Sequence, residues 1–215
     1  MEQKRHILLI LLFSIFGLNA LAQKEKASNG KIWLGLNYGQ ASRNTFIYQS
    51  EDYTYHNQFL KFQANYLLHI KNRFSYELHL EPSLYFCEHQ LLNEWFVQPK
   101  AGDDFLEQRD RFTQKREFNE YALNIGLILR YVLYNDFSMY VLGSIGPMLS
   151  SEDTERLKSG LAFSDIFGFG FSLVRENVRF DLRTTLRHNS NANISKPNNG
   201  HDSIGLETGI SFRLK

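Results

Sequence analysis

The chain has 215 residues, with 24 Lys and Arg against 23 Asp and Glu, and its formal net charge is +1. This balance excludes the basic surface that nucleic-acid binding requires. The single cysteine, Cys87, excludes an intramolecular disulfide. Aromatic residues make up 14% of the chain, yet the mean hydropathy is −0.36, so apolar and polar residues must alternate finely. No metal-ligand spacing or nucleotide-binding motif is present, and we expect neither a metal nor a cofactor.

The N-terminus has the features of a secretory signal peptide. Two basic residues precede an apolar run over residues 7–16 and a small-x-small motif that ends at Ala22. We therefore expect residues 1–22 to be a cleaved signal peptide and residues 23–215 to form one domain. A retained N-terminal anchor is the alternative, but the apolar run is shorter than the about 20 residues that a membrane helix needs.

Alternation with a period of two predicts eight β-strands. The alternation is strict in residues 74–86, 121–133, 178–187 and 203–214. It is weaker in residues 31–39, 58–70, 137–149 and 160–174. Short turns alternate with long loops at about residues 40–57, 87–117, 150–159 and 189–201. This pattern is typical of an outer-membrane barrel whose termini lie on the periplasmic side. The predicted fold class is all-β, an eight-stranded antiparallel transmembrane β-barrel.

The two faces of the predicted strands differ in kind. One face is apolar, and the other carries small residues and the charged residues Glu77, Glu81, Arg130, Arg179, Asp181, Arg183, Arg187, Glu207 and Arg213. A soluble β-sandwich or lipocalin-like barrel is the alternative. An eight-stranded barrel is too narrow to hold so many Phe, Tyr and Leu side chains, which favours apolar residues facing lipid and charges filling the lumen.

One further detail supports this assignment and another conflicts with it. Aromatic residues near strand ends are expected to form interfacial belts, and they include Trp33, Tyr38, Tyr66, Tyr76, Tyr131 and Tyr134. Asp165 falls on the lipid-facing parity of the sixth strand, which a bulge or a position above the lipid would explain.

A histidine and a serine, His188 and Ser190, follow the seventh predicted strand, and Asp202 directly precedes the eighth. Residues i and i+2 of a strand share a face, so the histidine and the serine can lie side by side. If residue 188 pairs with 202, the lipid-facing residues also pair, as 186/204, 184/206 and 182/208. The three side chains could then converge on the outer wall of the barrel. A polar surface loop made of ordinary residues is the alternative.

The motif around these residues resembles that of the lipid A 3-O-deacylase (PagL-type) family. It runs from His188-x-Ser190-Asn191-Ala192 through Pro197-Asn198-x-Gly200 to an acid fourteen residues after the histidine. The resemblance implies that Ser190 is the nucleophile, that His188 is the general base and then the acid, and that Asp202 orients the imidazole.

The resemblance also implies an oxyanion and substrate-binding group. It consists of Asn191 and Asn198 together with backbone N–H groups around Asn193. Two departures affect this group and the acid. The family acid is commonly glutamate, whereas this chain has Asp202, and Asn193 stands where a glycine is often found.

The expected function is an outer-membrane serine esterase that removes an ester-linked acyl chain, at the 3-O position in this family, from lipid A. Its partner is lipid A or lipopolysaccharide in the outer leaflet, and no nucleic-acid partner is expected. Two alternatives remain open at this point. One is a non-catalytic barrel that serves adhesion or envelope structure, and the other is a phospholipase or acyltransferase that uses the same site on another lipid.

Overall fold

A computed structural model describes residues 32–45, 49–99 and 104–214. The signal peptide expected over residues 1–22 lies outside the described residues. The described chain forms eight strands, and the second long connection contains a short 3-10 helix at Glu94–Phe96 and a helix, α1 (Phe105–Thr113). The strands are β1 (Ile32–Ser42), β2 (Tyr53–Lys71), β3 (Phe74–Leu91), β4 (Arg116–Tyr134), β5 (Phe137–Ser150), β6 (Gly160–Arg175), β7 (Val178–Ser190) and β8 (His201–Arg213).

The eight strands form one closed antiparallel barrel, as predicted. Each strand pairs with its neighbours in sequence, and β8 pairs with β1. A path that follows paired residues once around the ring leaves β1 at Ile32 and returns at Ser42, ten residues further along. This stagger means that the strands are tilted against the barrel axis. No helix among the described residues is long and apolar enough to cross a membrane.

The connections alternate between short and long, which the sequence also predicted. Two-residue turns join three strand pairs at 72–73, 135–136 and 176–177, and Asn72 and Asn135 have φ of 57° and 42° there. Asparagine tolerates this left-handed conformation better than most residues. The long connections are residues 43–52, 92–115, 151–159 and 191–200.

Strands β2, β3 and β4 each extend five residues further toward the long loops than predicted. Their outward positions in the extension are polar, and they include His56, Glu88, Glu117 and Asn119. The pairing continues there although the apolar contrast that identified the strand has ended. Backbone hydrogen bonds, rather than lipid contact, define these ends.

Charged side chains fill the lumen in pairs, as the parity predicted. Glu77 accepts hydrogen bonds from Arg130 Nε at 2.8 Å and from Arg179 Nη1 at 3.0 Å. Buried charges are costly unless they are paired, so this pairing is what allows a polar interior. Further along the lumen, the same kind of pairing joins Lys61, Glu81, Arg183 and Glu207, and then Glu120 and Arg187.

The outward face is apolar, but one predicted belt residue is misplaced. Leu182 and Leu206 are 51% and 58% exposed on the outer wall, as expected. Trp33 is only 4% exposed, and its ring lies 4.2 Å from the Arg179 guanidinium and 4.7 Å from that of Arg213. The interfacial assignment of Trp33 is therefore wrong. Trp33 shares the inward parity of β1 and stacks with lumen cations.

The assignment of faces predicts how substitutions on β7 behave. Leu182→Arg places a charge against lipid, which costs about 2–4 kcal/mol at mid-bilayer. We expect a matching loss in the free energy of unfolding, measured by urea titration of the barrel in lipid vesicles. Leu182→Phe is the matched control and should leave stability nearly unchanged. Equal stability of the arginine variant and the wild type would mean that residue 182 does not face lipid.

Candidate active site

The register of β7 and β8 is the one that the sequence predicted. His188 pairs with Asp202, and the other predicted pairs, Leu186 with Ile204, Thr184 with Leu206 and Leu182 with Thr208, are all formed. Directly paired residues of antiparallel strands have their Cβ atoms about 4.5–5.5 Å apart. The register therefore brings the imidazole and the carboxylate together across the two strands without help from a loop.

A short hydrogen bond joins the histidine and the acid. His188 Nδ1 lies 2.7 Å from Asp202 Oδ1, and both side chains are about half exposed on the outer wall. An ionised carboxylate only accepts hydrogen bonds, so Nδ1 carries the proton in the neutral imidazole. This tautomer leaves a lone pair on Nε2, which is the arrangement that a general base needs.

Ser190 lies two residues beyond His188 on the same face of β7, and it is half-buried. Its backbone pairs with Phe163 of β6. Within the described part of the chain, no hydrogen bond joins Ser190 Oγ to His188. Catalytic hydrogen bonds are often long before substrate binds and shorten in the complex, so the separation does not remove Ser190 from the site.

Asn191 and Asn198 shape the loop that follows β7. The buried Asn191 amide donates to Ser195 O and Oγ, both at 3.0 Å, and its backbone N–H donates to Asn198 Oδ1 at 2.6 Å. Asn198 Nδ2 in turn donates to Asn193 Oδ1 at 3.3 Å. The structure thus places the Asn191 and Asn198 amides inside the loop, in contact with other loop atoms.

The backbone of the same loop offers different donors. Ala192 and Asn193 both have positive φ, 51° and 62°, a conformation uncommon outside glycine. In the described chain their N–H groups make no hydrogen bond, whereas Ile194 N donates to Asn191 O. Two consecutive free N–H groups directly after Ser190 are of the kind that binds a developing oxyanion.

Asp165 is a member of the site that the sequence interpretation set aside. β6 is regular there, without a bulge, and Asp165 pairs with His188 on the side opposite Asp202. Asp165 Oδ1 is buried and accepts no hydrogen bond from the described residues. Of the two explanations offered for Asp165, the bulge is therefore excluded. The clue in the sequence was a charged residue on the lipid-facing side of β6. The pairing of Asp165 with His188 explains it, because it places the carboxylate beside the imidazole.

An apolar groove runs along the outer wall beside these residues. It has a volume of about 940 Å³ and lies across β4 to β8. Its polar end holds Asp165, His188 and Asp202, and its apolar lining includes Ile125, Leu127, Ile145, Phe167, Leu186 and Ile204. The arrangement joins a hydrogen-bonded imidazole to a surface that suits a hydrocarbon chain.

The other acid–base residues nearby face the interior. His201 is buried with Nε2 3.2 Å from Thr154 Oγ1, and Glu207 is bound to Lys61 and Arg183 in the lumen. Neither can reach the outer wall. Among the described residues, no group of three or more His, Cys, Asp or Glu is placed to hold a metal ion.

Solved structures with the same fold include outer-membrane barrels. The outer membrane enzyme PagL has a TM-score of 0.54 and 12% identity, over 82% of this chain and 97% of that one. Neisserial surface protein A has a TM-score of 0.49 and 13% identity, over 88% and 100%. Ail of Yersinia pestis has 0.45 and 12%, over 86% and 99%. At 12% identity the likeness to PagL shows the fold alone.

The sequence itself carries a more specific likeness. No curated protein sequence matches the chain. The family model described as "Lipid A 3-O-deacylase (PagL)" matches residues 32–211, which is nearly the whole described barrel. The chain therefore belongs to the lipid A 3-O-deacylase (PagL) family, and it is an outer-membrane β-barrel protein.

Proposed function

We propose that this protein is an esterase that hydrolyses an ester-linked acyl chain of lipid A. Its family indicates that this acyl chain is the one at the 3-O position. The observation that carries the proposal is the 2.7 Å bond between His188 Nδ1 and Asp202 Oδ1 on the lipid-facing wall. Ser190 follows on the same face, and the apolar groove begins at His188 and Asp202. Family membership supplies the substrate class.

The location of the site supports a lipid substrate. A charged side chain on a lipid-facing wall is costly, and three ionisable residues, Asp165, His188 and Asp202, lie together there. Lipid A reaches such a site laterally, without leaving its leaflet. Its acyl chain occupies the groove, and the ester, which joins chain to sugar, lies at the polar end. A non-catalytic barrel has no use for this bonded pair.

In the first half of the reaction, Ser190 is acylated. Its Oγ attacks the ester carbonyl carbon while His188 Nε2 takes the hydroxyl proton, and Asp202 stabilises the imidazolium. The negative charge that develops on the carbonyl oxygen is bound by the N–H groups of Ala192 and Asn193. When the tetrahedral intermediate collapses, the C–O bond to the sugar breaks, and Nε2 returns its proton to the sugar oxygen.

In the second half, water releases the chain. His188 Nε2 removes a proton from water as the water oxygen attacks the acyl carbon. The second tetrahedral intermediate collapses with cleavage of the bond to Ser190 Oγ, which recovers a proton from the imidazolium. The products are a free fatty acid and lipid A with a free hydroxyl, so atoms and charge balance.

The first test of this chemistry is the loss of a hydroxyacyl chain from lipid A in cells that express the protein. Ser190→Ala and His188→Asn should each abolish that mass change, because the two groups activate one nucleophile as a unit. Both variants should still migrate as folded, heat-modifiable barrels. The measurement is mass spectrometry of extracted lipid A and phospholipid.

The matched control is Ser203→Ala, which removes a serine of β8 that is buried in the lumen. It should deacylate lipid A like the wild type. Unchanged lipid A together with new lysophospholipid would mean that the protein hydrolyses a phospholipid and not lipid A. Full deacylation by Ser190→Ala would instead point to a water activated directly by His188.

A second test separates two roles for Asn191. Because its amide binds Ser195 and Pro197, Asn191→Ala should loosen residues 191–200 and lower deacylation by about 10- to 100-fold through misplacement of the N–H groups. We expect proteinase K to cut this loop faster in the variant, as read by peptide mass mapping. Activity lost without faster cleavage would mean that the Asn191 amide binds the oxyanion itself.

A further inference from the structure

The carboxylate of Asp202 has a second partner. Its Oδ1 accepts from His188 Nδ1, whereas its Oδ2 lies 3.1 Å from Arg43 Nη1. Arg43 follows β1 directly, and β1 is the strand that closes the barrel against β8. We propose that Arg43 is a positioning residue that fixes the plane and rotamer of the Asp202 carboxylate, and through it the tautomer of His188. This inference rests on the proposed function.

Arg43 is itself held firmly. Its backbone N–H donates to Tyr55 O at 2.8 Å, and its guanidinium lies 5.6 Å from the centre of the Tyr53 ring. The Arg43 side chain is 15% exposed, whereas that of Asp202 is 52% exposed. A largely buried and anchored guanidinium therefore binds a carboxylate that is about half exposed.

An exposed aspartate needs this support. A free Asp202 side chain could rotate about χ1 and χ2, and only some rotamers reach His188. Exposed ion pairs contribute little to stability, so the contact acts mainly on orientation. With each carboxylate oxygen bound to a different residue, the carboxylate plane is defined.

The charges around the imidazole give Arg43 a second effect. His188 is faced by Asp165 from β6 and by Asp202 from β8. Arg43 binds the Asp202 oxygen that does not face the histidine, and so leaves the other oxygen to the imidazole. Its positive charge offsets part of the negative charge that the two acids place around the imidazole.

A double-mutant cycle tests whether Arg43 acts through Asp202. Arg43→Gln should lower kcat for lipid A deacylation by about 10-fold or more, within the range that a misoriented catalytic group costs, with KM nearly unchanged. In the Asp202→Asn background the same change should cost less than about 2-fold, because the acid it positions is gone. Equal losses in both backgrounds would overturn the proposal, since a purely structural residue acts independently of Asp202.

A spectroscopic measurement tests the same claim without turnover. ¹⁵N-histidine NMR of the barrel in detergent, with His188 assigned by its loss in His188→Asn, should show one tautomer with the proton on Nδ1. Arg43→Gln should give a mixture of tautomers, and Arg43→Lys should restore part of the Nδ1–H form. Arg175→Gln, which removes an ion pair with Asp136 at the opposite end of the barrel, is the control and should leave the spectrum unchanged.

The two measurements separate the two proposals. A tautomer change in Arg43→Gln without any lipid A hydrolysis by the wild type would leave the positioning role standing and end the proposed function. An unchanged tautomer in Arg43→Gln would overturn the positioning role, whatever the activity. If Arg43→Gln does not fold, Arg43→Met, which keeps the stem beside Tyr53, takes its place in both measurements.

Discussion

A bilayer offers no hydrogen-bond partners to a backbone, and this constraint governs the structure. Every strand must pair on both sides, so the sheet closes and β8 meets β1. Closure of only eight strands leaves a narrow lumen, and paired charges such as Glu77 with Arg130 and Arg179 fill it. Many bulky apolar residues lie on the surface against lipid, and a smaller group that includes Tyr55, Phe59, Tyr85 and Leu142 packs inside the barrel.

The same closure builds the site. Because the registers are fixed all around the ring, the residues that flank His188 are fixed as well: Asp165 on one side and Asp202 on the other. The β8–β1 contact adds Arg43 from a distant part of the chain. A rigid sheet, rather than a mobile loop, thus holds the imidazole and its acid, which suits chemistry that depends on orientation.

Much of this could be predicted from sequence where periodicity and pairing were strong. The alternation along β7 and β8 predicted the His188–Asp202 contact, because the register that pairs 188 with 202 sets apolar residues against apolar residues on one face. Other features depended on registers that the sequence argument did not set. The register of β6 against β7 had to be known before Asp165 could be paired with His188. The contact of Arg43 with Asp202 joins β1 and β8, which are far apart in sequence. The hydrogen bonds of the Asn191 amide to Ser195 and Pro197 depend on the conformation of the loop, which a pattern of alternating residues does not predict.

The central claim is that the outer wall carries a serine activated by His188. Covalent labelling of the folded barrel with a long-chain fluorophosphonate, followed by peptide mass mapping, tests it most directly, because such reagents react with activated serines and release fluoride. The account predicts an adduct on Ser190 that forms in the wild-type protein and is lost in His188→Asn. No adduct on Ser190 in the folded wild type, or equal labelling in His188→Asn, would contradict it.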